Sequence, residues 1–331
     1  MPEPPEVPGP PEVNELYGAP VSGPEGPFEM AVITATRAPS HLGGEMVAAP
    51  IESRPRARRW YHGLGWGFWL ATGIVSLWIL LALFANLLPF QNPDALQSSC
   101  FLNASPSAAH LLGCDQDGRD ILSRVVFGSR VSLVVGFASI ALSLLVGGPL
   151  GLLAGYFRGG FDELLSIVAN VFLSFPSLVL ALVVVAFLGN SEFDITIIIA
   201  IVAWPLLFRV VRATTIEYAQ RDYVLAARAL GATTRQVLWR YVLPDVVPSA
   251  ITYGLVGVAL AIVAEGGLSF LGQSVGPPIP TWGNMIAAGT ESMPQYQSLL
   301  LSPAIAMFSF ILSINYVGDR LRRRLDLRSA L

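Results

Sequence analysis

Apolar residues in this chain collect into long runs rather than alternating or recurring on one face of a helix. Six runs stand out, at residues 66–88, 131–156, 164–188, 195–216, 246–270 and 299–317. Each is long enough to cross roughly 30 Å of hydrocarbon as a helix. The pattern predicts an all-α membrane protein with six transmembrane helices. Pro149, Pro176 and Pro205 fall inside runs, which membrane helices tolerate where neighbours satisfy the freed backbone groups. Gly147, Gly151 and Gly155 form a tandem G-x-x-x-G, a spacing that lets a second helix pack closely.

The polar stretches divide the rest. Residues 1–53 hold eleven of the 25 prolines, eight glutamates and one arginine. With no apolar periodicity to offset ordering entropy, this segment reads as a disordered cytoplasmic tail. Residues 54–65 are a basic juxtamembrane segment containing RPRARR, and 319–331 a basic cytoplasmic tail. Residues 131–318 form the core that carries helices 2–6. With the N-terminus inside, only Arg119, Arg124 and Arg130 fall outside, all in the 89–130 loop. The positive-inside rule therefore predicts both termini in the cytoplasm.

Composition narrows the chemistry. Of the 331 residues 53% are hydrophobic and 13% charged, with net charge -3, which favours a membrane protein and no nucleic-acid partner. All 20 basic residues are arginine, so the chain cannot supply the lysine of a nucleotide-binding P-loop. It lacks H-E-x-x-H, and His41, His62 and His110 are scattered. DQDGRD at 115–120 departs from a calcium loop in its glycine position, and Val126 stands where the closing glutamate belongs. No catalytic or metal-binding residue is predicted.

One polar stretch is unusual. DYVLAARALGATTRQVLWRYVLPD, residues 222–245, lies on the cytoplasmic side within the 217–245 loop. Asp222 to Leu230 should be helical, Gly231 should stop that helix in a left-handed conformation, and Thr233 or Thr234 should cap a second helix reaching about Tyr241. Pro244 should end the excursion. Two short helices meeting at a corner would present Ala226 and Ala227 to another protein, or lie on lipid as an interfacial pair; the residues alone leave both open. Glu265 sits inside an apolar run, and its desolvation cost points to an outer gate or subunit interface. Asn170, Ser174 and Pro176 could line a path or pack helices. Asp115, Arg119 and Asp120 read as a local charge network.

The 222–245 stretch resembles the EAA loop of ABC-importer permeases. Ala226, Ala227, Gly231, Leu243 and Pro244 match that motif in register, while Leu225 replaces the usual glutamate and Tyr241 an isoleucine. GCDQDGRDILSRVVFGSRVSL (113–133) is similar to the signature of peptide-importer permeases, with Cys114 in place of threonine. GYFRGGFDE, FLSFPSLVLAL, EGGLSFLG, PTWGNM and NYVGDRLRRRLDLR follow in family order. Over about residues 66–328 the chain is similar to the C-type permease of the dipeptide/oligopeptide and nickel branch.

The resemblance implies a type I importer permease fold and a transport subunit without its own ATPase site. It implies a homologous second permease, two cytoplasmic ATPase subunits or one fused ATPase that bind ATP and Mg, and an extracytoplasmic peptide-binding protein. It implies ATPase docking at Leu225, Ala226, Ala227, Arg228 and Gly231; the polar residues Asn170, Ser174 and Glu265 within apolar runs are the candidates for the translocation path. Nickel complexes, haem and glutathione remain open as cargo. An ion-coupled peptide symporter would want acid and base partners along several spans, and a purely structural membrane subunit is a third reading. Cys100 and Cys114, the only cysteines, share a loop expected outside, where disulfides persist; a bridge there would contribute roughly 3 kcal/mol.

Overall fold

The computed structural model describes residues 65–95, 106–292 and 297–329. The 1–53 tail, the 54–65 segment apart from Gly65, and Cys100 lie outside them. The helices run α1 Gly65–Phe84, α2 Ile121–Phe157, α3 Gly159–Ser174, α4 Ser177–Leu188, α5 Glu192–Tyr218, α6 Asp222–Ala229, α7 Thr234–Gln236, α8 Leu243–Phe270, α9 Trp282–Ser292 and α10 Gln297–Ser329. A π-helical stretch, Val237–Val242, joins α7 to α8. Among the described residues five helical runs are long and apolar enough to cross a membrane: α1, α2, α5, Thr234–Phe270 and α10. The pair α3 and α4 makes a sixth, bent by 92° at its break.

The centre of the fold is the seam between α2 and α5. A Cβ on Gly147 would stand 2.8 Å from the Trp204 carbonyl oxygen, one on Gly151 2.6 Å from that of Phe208, and one on Gly155 2.6 Å from that of Arg212. The tandem G-x-x-x-G therefore lies against the backbone of α5, as close packing of membrane helices requires. Ser143 Oγ crosses the same seam to donate to the Ala200 carbonyl at 3.0 Å. Around it, Val135 and Ile140 of α2, Ile198 of α5, Ile262 of α8 and Phe310 of α10 share one apolar core.

Four expectations change. The third apolar run is broken, because Phe175 and Pro176 separate α3 from α4; the proline lacks a donor and both residues are exposed. Helix α2 starts ten residues before the run that predicted it. Asp120 caps it, accepting from Ser123 N and Oγ at 2.8 Å each. The loop after α8 contains α9, whose apolar residues are too few to read as a run. Helix α10 continues to Ser329, so most of the basic 319–331 tail is helical.

Candidate coupling surface and transport face

The corner forms as its local signals dictate, up to a point. Gly231 has φ +87°, the left-handed region that glycine enters without a side-chain clash. Its N–H donates to the Arg228 carbonyl and that of Ala232 to the Ala227 carbonyl, both at 3.0 Å. These two bonds close α6 as a Schellman motif. Thr233 then caps α7, with Gln236 completing a reciprocal capping box. Pro244 does not end the second helix. The π-helical stretch takes up the geometry around it and α7 runs on into α8, so the corner is rigidly continuous with a membrane span.

The inner side of the corner is apolar. Val224, Val237, Leu238, Val242 and Val246 pack with Leu152 of α2 and Val211 of α5. The corner is thereby bonded to the α2–α5 seam. Arg228 lies over the Tyr156 ring at 5.1 Å, and Tyr223 Oη donates to Asp245 Oδ2 at 2.6 Å. The outer side exposes apolar residues, with Leu230 89% and Leu225 50% accessible, beside the exposed Asp222, Arg228 and Arg235, while Trp239 lines a groove with Leu144 and Pro149 of α2 and Val247 of α8. Ala226 and Gly231 are exposed with them, but Ala227 is buried. This corrects the expectation that Ala227 faces a partner: with only eight residues in α6, sequence could not say which of two adjacent alanines turns inward.

Asn170 and Ser174 stand on an exposed face of α3. Ser174 Oγ donates to the Asn170 carbonyl at 2.8 Å, and Arg209 of α5 donates to Asn170 Oδ1 at 2.6 Å. One turn along, Arg212 pairs bidentately with Asp162 of α3, the Nη2–Oδ2 contact being 2.6 Å. Sequence reasoning counted both arginines toward the basic side and missed that Arg209 belongs to this face. The signal was present, since Arg209 lies two turns inside the apolar run ending at 216.

Glu265 is corrected in the other direction. It is fully buried and touches no open face. Its Oε1 accepts from Ser269 Oγ at 2.9 Å, Ser274 Oγ at 3.0 Å and Thr281 Oγ1 at 2.9 Å. Hydroxyls of the same chain offset part of the desolvation cost at Oε1, while Oε2 is buried with no hydrogen-bond partner among the described residues. These bonds tie EGGLSFLG to PTWGNM. Trp282, also buried, donates from Nε1 to the Val125 carbonyl and from its backbone N–H to Ser132 Oγ, both at 3.0 Å. Glu265 is thus a pin holding α8, α9 and α2 together at the end opposite the corner.

The 113–124 signature closes the same end. Asp115 Oδ1 accepts from the Asp117 and Arg119 N–H groups at 3.0 and 2.8 Å. Arg124 reaches Asp115 at 3.4 Å and the Pro93 carbonyl at 3.1 Å, while Arg119 pairs with Asp117 at 3.1 Å. His110 Nδ1 lies 3.0 Å from Asp120 Oδ1. Cys114 is buried and disulfide-bonded.

Comparison with known proteins decides what these parts belong to. Residues 147–330 match the family described as binding-protein-dependent transport system inner membrane component. The chain belongs to that family. A glutathione transport system permease protein, GsiD of Pectobacterium atrosepticum, is 35% identical over 258 residues, covering 78% of this chain and 86% of its own. The dipeptide transport system permease protein DppC of Alkalihalophilus pseudofirmus is 36% identical over 253 residues, 76% and 83% of the two chains. Among solved structures, an inward-facing MetNI methionine ABC transporter superposes with TM-score 0.54 at 19% identity, covering 62% of this chain and 97% of that one. The protein is an inner-membrane permease subunit of an ABC importer, a transport component rather than an enzyme. That membership displaces the symporter reading and the purely structural one.

Proposed function

We propose that this permease imports short peptides across the cytoplasmic membrane by alternating access, driven by ATP hydrolysed on separate subunits that dock at the 222–245 corner. The observation that carries the reading is the two-sided corner. Its outer side exposes Leu225, Ala226 and Leu230, apolar residues that a docked partner would cover. Its inner side is packed onto α2 and α5, so force applied outside reaches the central seam without a flexible joint. Leu225 supplies apolar contact where the family motif has glutamate. A homologous second permease completes the path, an extracytoplasmic binding protein delivers cargo, and both termini lie in the cytoplasm. ATP and Mg belong to the ATPase subunits, because this chain has no lysine for a phosphate loop.

The test is purification of the assembled complex in nanodiscs, with ATPase activity measured with and without the binding protein and short peptides. Stimulation that needs both supports the reading; a complex without ATPase subunits would sink it. Glutathione is the second reading, favoured by the GsiD relative, and competition between glutathione and a labelled tripeptide for uptake separates the two.

We also infer that Cys114 is bridged to Cys100, the only other cysteine in the sequence. A membrane-impermeant maleimide should label neither residue until reductant is added. Immediate labelling of both in the unreduced protein would show that no such bridge exists.

A further inference from the structure

We propose that Arg209 and Asn170 form a station inside the translocation path that receives a carboxylate of the passing substrate. The proposal rests on the importer reading above. Its starting point is position. Arg209 lies nine residues before the corner end of the 27-residue α5, about 14 Å from that end at ~1.5 Å per residue; α5 is about 40 Å long against roughly 30 Å of hydrocarbon, which puts Arg209 within the corner-side half of the span. A guanidinium at that depth is costly against lipid and usually faces a partner or a water-filled cavity. Arg209 is exposed on the surface of this chain, and among the described residues no carboxylate pairs with it. Arg212, one turn away, is neutralised by Asp162.

The contact that Arg209 does make sets the chemistry. A guanidinium only donates, so the Asn170 side chain must turn its oxygen toward Arg209, as the 2.6 Å bond shows. That turns the amide Nδ2 donors away from Arg209. The pair thus presents N–H donors from two helices and a net positive charge, which suits an anion with two adjacent oxygens. The face also borders a broken span. Ser174 is the last residue of α3, one turn beyond Asn170, and the chain there bends by 92° into α4. Discontinuous membrane helices are tolerated where they line protein or water, and they recur at transporter substrate sites. Two independent features, an unneutralised cation and an interrupted helix, meet on one open face.

Two measurements test this. The first uses the complete importer in proteoliposomes with labelled tri-alanine and its C-terminal amide, comparing wild type with Arg209→Gln and Arg209→Lys. Loss of one charge-assisted contact should lower free-acid uptake about tenfold in Arg209→Gln, leave amide uptake unchanged, and be partly restored in Arg209→Lys. An equal fall for both peptides would show that the cation serves the subunit interface, and no fall would show an arginine that only reaches for lipid phosphate. Either overturns the proposal. The second is independent of import. A Ser174→Cys reporter in the assembled complex should react about tenfold faster with an anionic methanethiosulfonate than with a cationic one, as local cationic potential directs. Adding Arg209→Gln should abolish the preference. A reporter that reacts with neither reagent, or with both at rates unaffected by Arg209, would overturn the station even if the importer reading stands. Wild-type complex that shows no ATP-driven uptake of either peptide would sink the peptide-import reading and leave this second measurement to decide the station.

Discussion

At the end of the bundle opposite the corner, Glu265 is wholly covered and one of its oxygens accepts three hydroxyl hydrogen bonds. On the α3 side, Asn170, Ser174 and Arg209 stand open, joined by two hydrogen bonds, both to Asn170. Both regions place strong polar groups within apolar spans, and they resolve the same desolvation cost differently. Around Glu265 the cost is partly offset inside the chain, at one oxygen of the two, and those bonds fasten the region. On the α3–α5 face it is left for something outside the chain to meet, which marks a surface that works with a partner or a cargo. The glycine seam packs α2 and α5 backbone to backbone.

The largest break in that comparison should come at the seam. Gly151→Ala places a Cβ 2.6 Å from the Phe208 carbonyl oxygen, and forcing the backbones apart should cost about 3 kcal/mol. Gly148, next to the stripe but with nothing within 4 Å of its Cβ position, should accept Ala with no loss and a gain of up to ~1 kcal/mol. Thermal unfolding in detergent would show the two variants on opposite sides of wild type; equal stabilities would dismiss the seam as a close contact.

Next in size is the fastening. Glu265→Ala leaves three buried hydroxyls without their acceptor and should cost roughly 2 kcal/mol. Glu265→Gln keeps an accepting oxygen and should lose less than half as much. If both variants unfold alike and with wild-type stability, the pin is not one.

Smaller still is the corner. Gly231→Ala has space for its side chain but strains the backbone at φ +87°, costing about 1 kcal/mol. The protein should insert normally yet couple poorly, with peptide-stimulated ATPase activity reduced more than basal activity. Retained stimulation would mean that the corner's geometry does not carry force.

The smallest effect concerns Tyr223. Burial first, and then its hydrogen bond to Asp245, push the phenol above the ordinary tyrosine value near 10. A group whose folded value is raised contributes stability that is fully present below about pH 10 and lost as pH rises through the folded value. Tyr223→Phe should cost about 0.5 kcal/mol and remove one late-titrating phenol from the ultraviolet pH titration. A titration unchanged by the substitution would mean that Tyr223 ionises like a free tyrosine.

Much of this architecture was legible from local order along the chain. Uninterrupted apolar runs report membrane spans because a backbone in lipid must satisfy its own hydrogen bonds, and a helix does so within one segment. The glycine spacing at 147, 151 and 155 announced a close helix contact, and Gly231 with Thr233 announced the corner, since left-handed caps and capping boxes are built from neighbours in sequence. Other features depend on what packs against them. Pro149 and Pro205 lie within unbroken helices, whereas Pro176 separates two, though each removes the same N–H. The first two belong to the helices held together by the α2–α5 seam, and the third sits at an exposed edge with no such support. Whether Ala226 or Ala227 turns inward was decided by the apolar cluster beneath α6. Glu265 gives the plainest case. Sequence shows a carboxylate in an apolar span, but the hydroxyls that meet it come from positions 269, 274 and 281. Ser269 is one turn on in the same helix, but only the folded loop brings Ser274 and Thr281 within reach, because the energy of a buried charge depends on neighbours in space as well as in sequence.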